Sequence, residues 1–147
     1  MIVRLRNGPL ARMLHYALYE RLLAFCATYT PEFPGEPVVD AWMERLYKDD
    51  PDLYLMVDLE DNYTILGHAV ICVERPFGIP CIHCYQGQGE RKSVTGITVF
   101  GELVDKIAAS IGARRASFFT EGRSKALEKL GYKVIRTQMT KTYGEGD

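Results

Sequence analysis

Residues 91–132 read RKSVTGITVFGELVDKIAASIGARRASFFTEGRSKALEKLGY, and the fold is decided in this stretch. Its first residues are polar and lead straight into an amphipathic segment. Phe100, Leu103, Val104, Ile107, Ala108 and Ile111 recur at steps of three and four, which places them on one face of a 3.6-residue helix. Gly112 follows the last apolar position and suits the left-handed residue that ends a helix. A short strand over 115–120, a two-turn helix ending at Gly131 and a new strand beyond it complete the unit. A polar loop that opens a helix presents backbone N–H groups to an anion.

This order and spacing resemble the C-terminal half of the GNAT superfamily, the acetyl-CoA-dependent N-acetyltransferases. In that family an Arg/Gln-x-x-Gly-x-Gly/Ala loop ahead of the long helix wraps the pyrophosphate of coenzyme A. Here Arg91, Lys92, Ser93, Val94, Thr95 and Gly96 hold that place, with Ile97 after them. Val99 and Phe100 fall where the family's paired apolar residues open the helix. The family's closing signature, Tyr-Glu-Lys-Leu-Gly-Phe, is matched by Leu127-Glu128-Lys129-Leu130-Gly131-Tyr132. The resemblance implies acetyl-CoA as ligand and residues 91–97 as its binding loop. Three positions depart from the pattern. Val94 replaces the first loop glycine, and a β-branched residue obstructs close approach to a phosphate and disfavours positive φ. Leu127 replaces the tyrosine that commonly protonates the coenzyme A thiolate. Thr120 replaces an asparagine that often lines the acetyl site. The resemblance therefore implies a GNAT fold with an eroded cofactor site.

Composition sets the outer bounds. A chain of 147 residues with 47% hydrophobic and 25% charged residues fits one globular domain, 1–147, large enough to bury a core without staples. A net charge of −1 carries no general attraction to nucleic acid or anionic membrane. No apolar run approaches the roughly 20 residues of a membrane span. The first six residues, MIVRLR, alternate like a strand and lack the pattern of a signal peptide. The expected location is the cytoplasm, or a virion assembled there. Cys26, Cys72, Cys81 and Cys84 are too few and scattered for a disulfide framework. Cys81-Ile82-His83-Cys84 invites a zinc reading, but no second ligand pair completes it, and on a strand Cys81 and Cys84 point to opposite faces. No metal site is expected.

From the N-terminus, residues 2–6 read as a strand and Asn7-Gly8-Pro9 as a helix start with Asn7 as N-cap. Leu10, Met13, Leu14, Ala17, Leu18, Leu22 and Phe25 mark that helix's expected buried face, and His15 sits at its rim. A Pro- and Gly-containing loop over 27–36 leads to a second helix with Val39, Trp42, Met43 and Leu46 inward. Asp49-Asp50-Pro51-Asp52 reads as a solvated turn. Strands over 53–58 and 63–75 form a hairpin in which Gly67 marks a bulge or a close backbone approach. A tight connection over 76–80 leads to a central strand, 81–85, and a polar turn over 86–90. The final strand, 133–143, pairs with the strand at 115–120. The predicted order is β-α-α-β-β-β-α-β-α-β: a single mixed, mostly antiparallel α/β sheet with helices on both faces.

Acyl transfer to an amine needs an anion site, a base and a donor for the leaving thiolate. Residues 91–97 supply the first. His83 and Glu90 are the candidate bases, and Tyr85 is the candidate acid. The eroded loop favours a non-catalytic binding or assembly protein with protein partners, similar to the small GNAT-like proteins of tailed phages that serve as internal or DNA-ejection components of the virion. The alternative is an active acetyl-CoA-dependent N-acetyltransferase with a small-molecule or protein amine as acceptor.

Overall fold

The computed structural model describes residues 1–89, 96–118, 125–135 and 139–144. The elements are β1 (Ile2–Leu5), α1 (Pro9–Tyr29), α2 (Gly35–Tyr47), β2 (Leu53–Leu59), β3 (Ile65–Glu74), β4 (Cys81–Gln88), α3 (Gly96–Ile111), β5 (Ala116–Phe118) and α4 (Lys125–Lys129). A single 3-10 turn, Pro76–Gly78, joins β3 to β4. The five strands lie in sequence order, β1-β2-β3-β4-β5. The first three pairings are antiparallel and the last, β4 with β5, is parallel. A parallel pair needs a crossover, and α3 supplies it, so the start of α3 lies at the C-terminal end of β4.

The sheet is buried on both faces. On one, Leu55, Val57, Val70 and Cys72 pack against Leu14, Leu18 and Leu22 of α1 and against Val39, Met43 and Leu46 of α2. On the other, Ala69, Ile71, Ile82 and Cys84 meet Phe100, Val104 and Ile107 of α3. The stripe read from α3 is thus the buried one. Gly112, at φ 66°, takes the left-handed conformation expected after it. Gly101 lets α4 approach α3, because a Cβ there would lie 2.5 Å from Leu130 Cδ1.

Four readings need correction. Asn7 does not cap α1: Gly8 is the N-cap, and Asn7 instead donates from Nδ2 to the Tyr47 carbonyl, 3.0 Å away. The buried stripe of α1 is Ala11, Leu14, Leu18, Leu22 and Cys26, and Met13 and Ala17 face solvent. Small Ala11 and Cys26 complete the stripe where the larger Met13 was expected, because close packing on the sheet selects position rather than size. The turn expected over 86–90 begins later, since Gln86, Gly87 and Gln88 continue β4 and pair with Val70, Ala69 and His68. No strand occurs among the described residues of 133–143. There Val134, Ile135, Met139 and Tyr143 are exposed, and alternation makes a strand only where a neighbour pairs with it and a core covers one face. Among the described residues, no helix is long and apolar enough to cross a membrane.

Candidate functional site

Strand β4 carries an irregularity at its centre. Ile71 faces Cys84 while the preceding residue of β3, Val70, faces Gln86, so Tyr85 is an extra residue bulged out of the ladder. Alternation along an ideal strand would put Cys84 and Gln86 on one face. The bulge separates them: Cys84 packs in the α3-side core, and Gln86 reaches Cys26 of α1 on the other side. Gly67 accommodates the end of this strand, because a Cβ there would lie 2.8 Å from the Gln88 carbonyl oxygen and 3.2 Å from Gly89 Cα. It is a close backbone approach, as its position in the sequence suggested.

Tyr85 turns toward α2. Its ring centroid lies 5.1 Å from that of Trp42 and 4.4 Å from that of His83, edge-on to the imidazole. Its hydroxyl donates to Glu74 Oε1 at the end of β3. Tyr85 is 40% exposed, yet partial desolvation, reinforced by the hydrogen bond to the Glu74 carboxylate, pushes the phenol above its ordinary range, so it stays protonated. Burial lowers the pKa of His83, against the pull of Glu74, and keeps the imidazole neutral near pH 7. Arg45 completes this wall: it donates from Nε to Asp50 Oδ2 at 2.7 Å and from Nη1 to Cys72 Sγ at 3.4 Å. Burial pushes the Cys72 thiol up to about 11, and the adjacent guanidinium offsets only part of that. The Trp42 indole N–H is buried and has no hydrogen-bond partner among the described residues.

Of the residues singled out in the sequence, His83 and Tyr85 come together in this cluster. Glu90, Arg91, Lys92, Ser93, Val94, Thr95 and Thr120 lie outside the described residues. Gly96 and Ile97 open α3, a 16-residue helix whose first N–H groups have no partner within the helix itself. Leu127 is buried on α4. All four cysteines are free and buried. Glu74 and Arg45 are the members that sequence reading missed, and Trp42, read as an inward residue of the second helix, joins them. Glu74 ends a strand, looks solvated and pairs with Cys81 in the ladder; only the Tyr85 side chain, lying against His83, brings a hydroxyl to it.

A second polar group lies behind the bulge. Arg21 Nε donates to His68 Nδ1 at 3.0 Å, His68 Nε2 meets Gln86 Oε1 at 3.0 Å, and Gln86 Nε2 donates to Cys26 Sγ at 3.3 Å. His68 and Gln86 are the buried polar side chains among the described residues.

The whole chain superposes on solved acetyltransferases. Glucosamine-6-phosphate N-acetyltransferase from Arabidopsis thaliana aligns with a TM-score of 0.70 at 17% identity, covering 98% of each chain. An acetyltransferase from Trypanosoma brucei aligns at 0.68 and 17% identity, covering 97% of this chain and 99% of that one. An aminoglycoside acetyltransferase from an uncultured soil metagenomic sample, solved with sisomicin, aligns at 0.64 and 15% identity, covering 100% and 96%. No family model matches the sequence, and no curated protein matches it. The fold is that of the GNAT acetyltransferases.

Proposed function

We propose that on this GNAT fold the chain transfers an acetyl group from acetyl-CoA to an amine, at the bulge of β4. One observation carries the reading: Tyr85, held protonated, stands edge-on to His83, held neutral. An acid and a base are thereby paired on one strand, each in the protonation state its task requires near pH 7. The first turn of α3 and the cations of 91–97 are the groups suited to the donor's pyrophosphate. The donor supplies an activated thioester. His83 takes the proton released by the attacking amine as the N–C bond forms. Tyr85 gives its phenolic proton to the sulfur as the C–S bond breaks. Transfer of the proton from His83 to the phenolate restores both groups. Glu74 and Trp42 orient the phenol, one from its hydroxyl and one from its ring.

A second reading is favoured by Leu127, buried and without a hydroxyl where the family's usual acid stands, and by Val94 in the loop. On that reading the cofactor site is eroded, and the chain is a non-catalytic binding or assembly protein with protein partners, such as a virion component. Calorimetric titration with acetyl-CoA, followed by an assay for free thiol with a panel of amines, separates the two. A dissociation constant near micromolar, about −8 kcal/mol, with turnover supports the enzyme. Absence of binding at millimolar ligand removes it and leaves the second reading. Val94→Gly should tighten binding if Val94 crowds the pyrophosphate, and unchanged affinity would show that the loop holds its ligand another way.

A further inference from the structure

The chain of side chains behind the bulge is directional. Arginine is always a donor, so His68 Nδ1 must be the unprotonated nitrogen and Nε2 must carry the hydrogen. That N–H then donates to Gln86 Oε1, and the Gln86 amide passes its own hydrogen to Cys26 Sγ. Arg21 is itself tied to the sheet by Nη2 on the Leu66 carbonyl, 3.1 Å away. The path leaves α1 at Arg21, crosses β3 and β4, and returns to α1 at Cys26. On the opposite face, Cys84 Sγ donates to the carbonyl of the same Gln86 at 3.2 Å. Gln86 is thus gripped by its side chain from the α1 side and by its backbone from the α3 side. It is the first residue after the bulge.

We infer that Gln86 is a positioning residue for Tyr85: the relay from Arg21 through His68 to Gln86 and Cys26 fixes the backbone that aims the phenol at Glu74 and His83. A satisfied buried polar network selects one arrangement, since any other leaves a donor or acceptor unpaired in the core. A bulged strand needs such a selection, because the extra residue can slip along the ladder, and a slip by one position flips every later side chain. The inference rests on the acyl-transfer reading for its kinetic consequence but not for its structural one.

The test uses Gln86→Met, close in volume and unable to continue the relay, with Arg21→Met as a second variant that interrupts it at its half-buried end. In protein labelled at the tyrosine ζ-carbon, the Tyr85 signal is assigned from its loss in Tyr85→Phe. Both relay variants should shift or broaden that signal while the signals of the exposed Tyr16 and Tyr143 stay in place. If the chain turns over acetyl-CoA, Gln86→Met should lower kcat roughly tenfold with little change in KM for acetyl-CoA, and the loss should vanish in the Tyr85→Phe background. An unmoved Tyr85 signal in a folded variant overturns the inference, as does an equal loss of kcat with and without the Tyr85 hydroxyl. Failure of the acyl-transfer reading shows as no turnover in the wild type and leaves the Tyr85 signal as the deciding measurement.

Discussion

At the residue scale, two titratable groups separate chemistry from stability. Tyr85→Phe removes the phenolic proton but keeps the ring against Trp42 and His83, so activity should fall roughly 10²-fold or more while the fold survives. Comparing kcat with the denaturation midpoint checks this. His68 is fully buried, and desolvation, aided by the charge of Arg21, lowers its pKa from 6.5 to about 4. The other neighbours facing it are neutral: Gln86 from β4 and the edge of Phe25 from α1. A group with a depressed folded pKa binds its proton more readily when unfolded. Its contribution is therefore fully present above about pH 6.5 and is lost as pH falls toward about 4. The loss amounts to roughly 3 kcal/mol across that window. Urea midpoints measured from pH 7 to pH 4 should fall less steeply in His68→Gln, where nothing titrates at this position. Equal slopes in the two proteins would mean that His68 protonates without penalty.

At the element scale, what could be read in the sequence and what could not divide along a physical line. The α3 stripe, the hairpin of β2 and β3, and Gly112 follow from local periodicity and backbone preference, which need no knowledge of neighbours. The bulge at Tyr85 depends on how β3 happens to register against β4, and the sequence of β4 alone carries no signal for it. For the same reason His83 and Tyr85 could be named as candidates, and Trp42 as an inward residue, while their meeting with Glu74 and the relay through Gln86 could not. The buried face of α1 shifted from Met13 to Ala11 because the crossing of helix over sheet sets it. Gly67 shows the boundary case: its oddity in a strand was visible, and its cause, the Gln88 carbonyl, was not. Gly67→Ala should destabilise the protein by about 1–3 kcal/mol, since the added methyl meets backbone that has little room to yield. Equilibrium denaturation measures it. An unchanged midpoint would place the close approach outside the folded ensemble in solution.

At the scale of the whole molecule, the two cores are unequal partners of the site. Helices α1 and α2 close one face of the sheet, and from that side come Trp42, Arg45 and the relay that reach the bulge. The other face is closed by α3, whose first turn adjoins the loop expected to hold coenzyme A. A ligand that engages α3's N-terminus and the centre of β4 together would bridge the two halves of this arrangement, and its binding energy would appear directly as resistance to unfolding. At a ligand concentration one hundred times the dissociation constant, that resistance is about 2.7 kcal/mol. For a chain of this size, each kcal/mol moves the thermal midpoint by roughly 2–4 °C, so saturating acetyl-CoA should raise it by roughly 5–10 °C. Arg91→Ala should reduce the shift if the loop cations hold the pyrophosphate, whereas Tyr85→Phe should leave it nearly intact, because in the proposed reaction that hydroxyl serves the leaving sulfur and not the phosphates. Two equal shifts in these variants would place the ligand away from the 91–97 loop. No shift in the wild type would mean that this fold sets Tyr85 beside His83 without binding acetyl-CoA, and the exposed apolar residues near the C-terminus would become the next place to seek a partner.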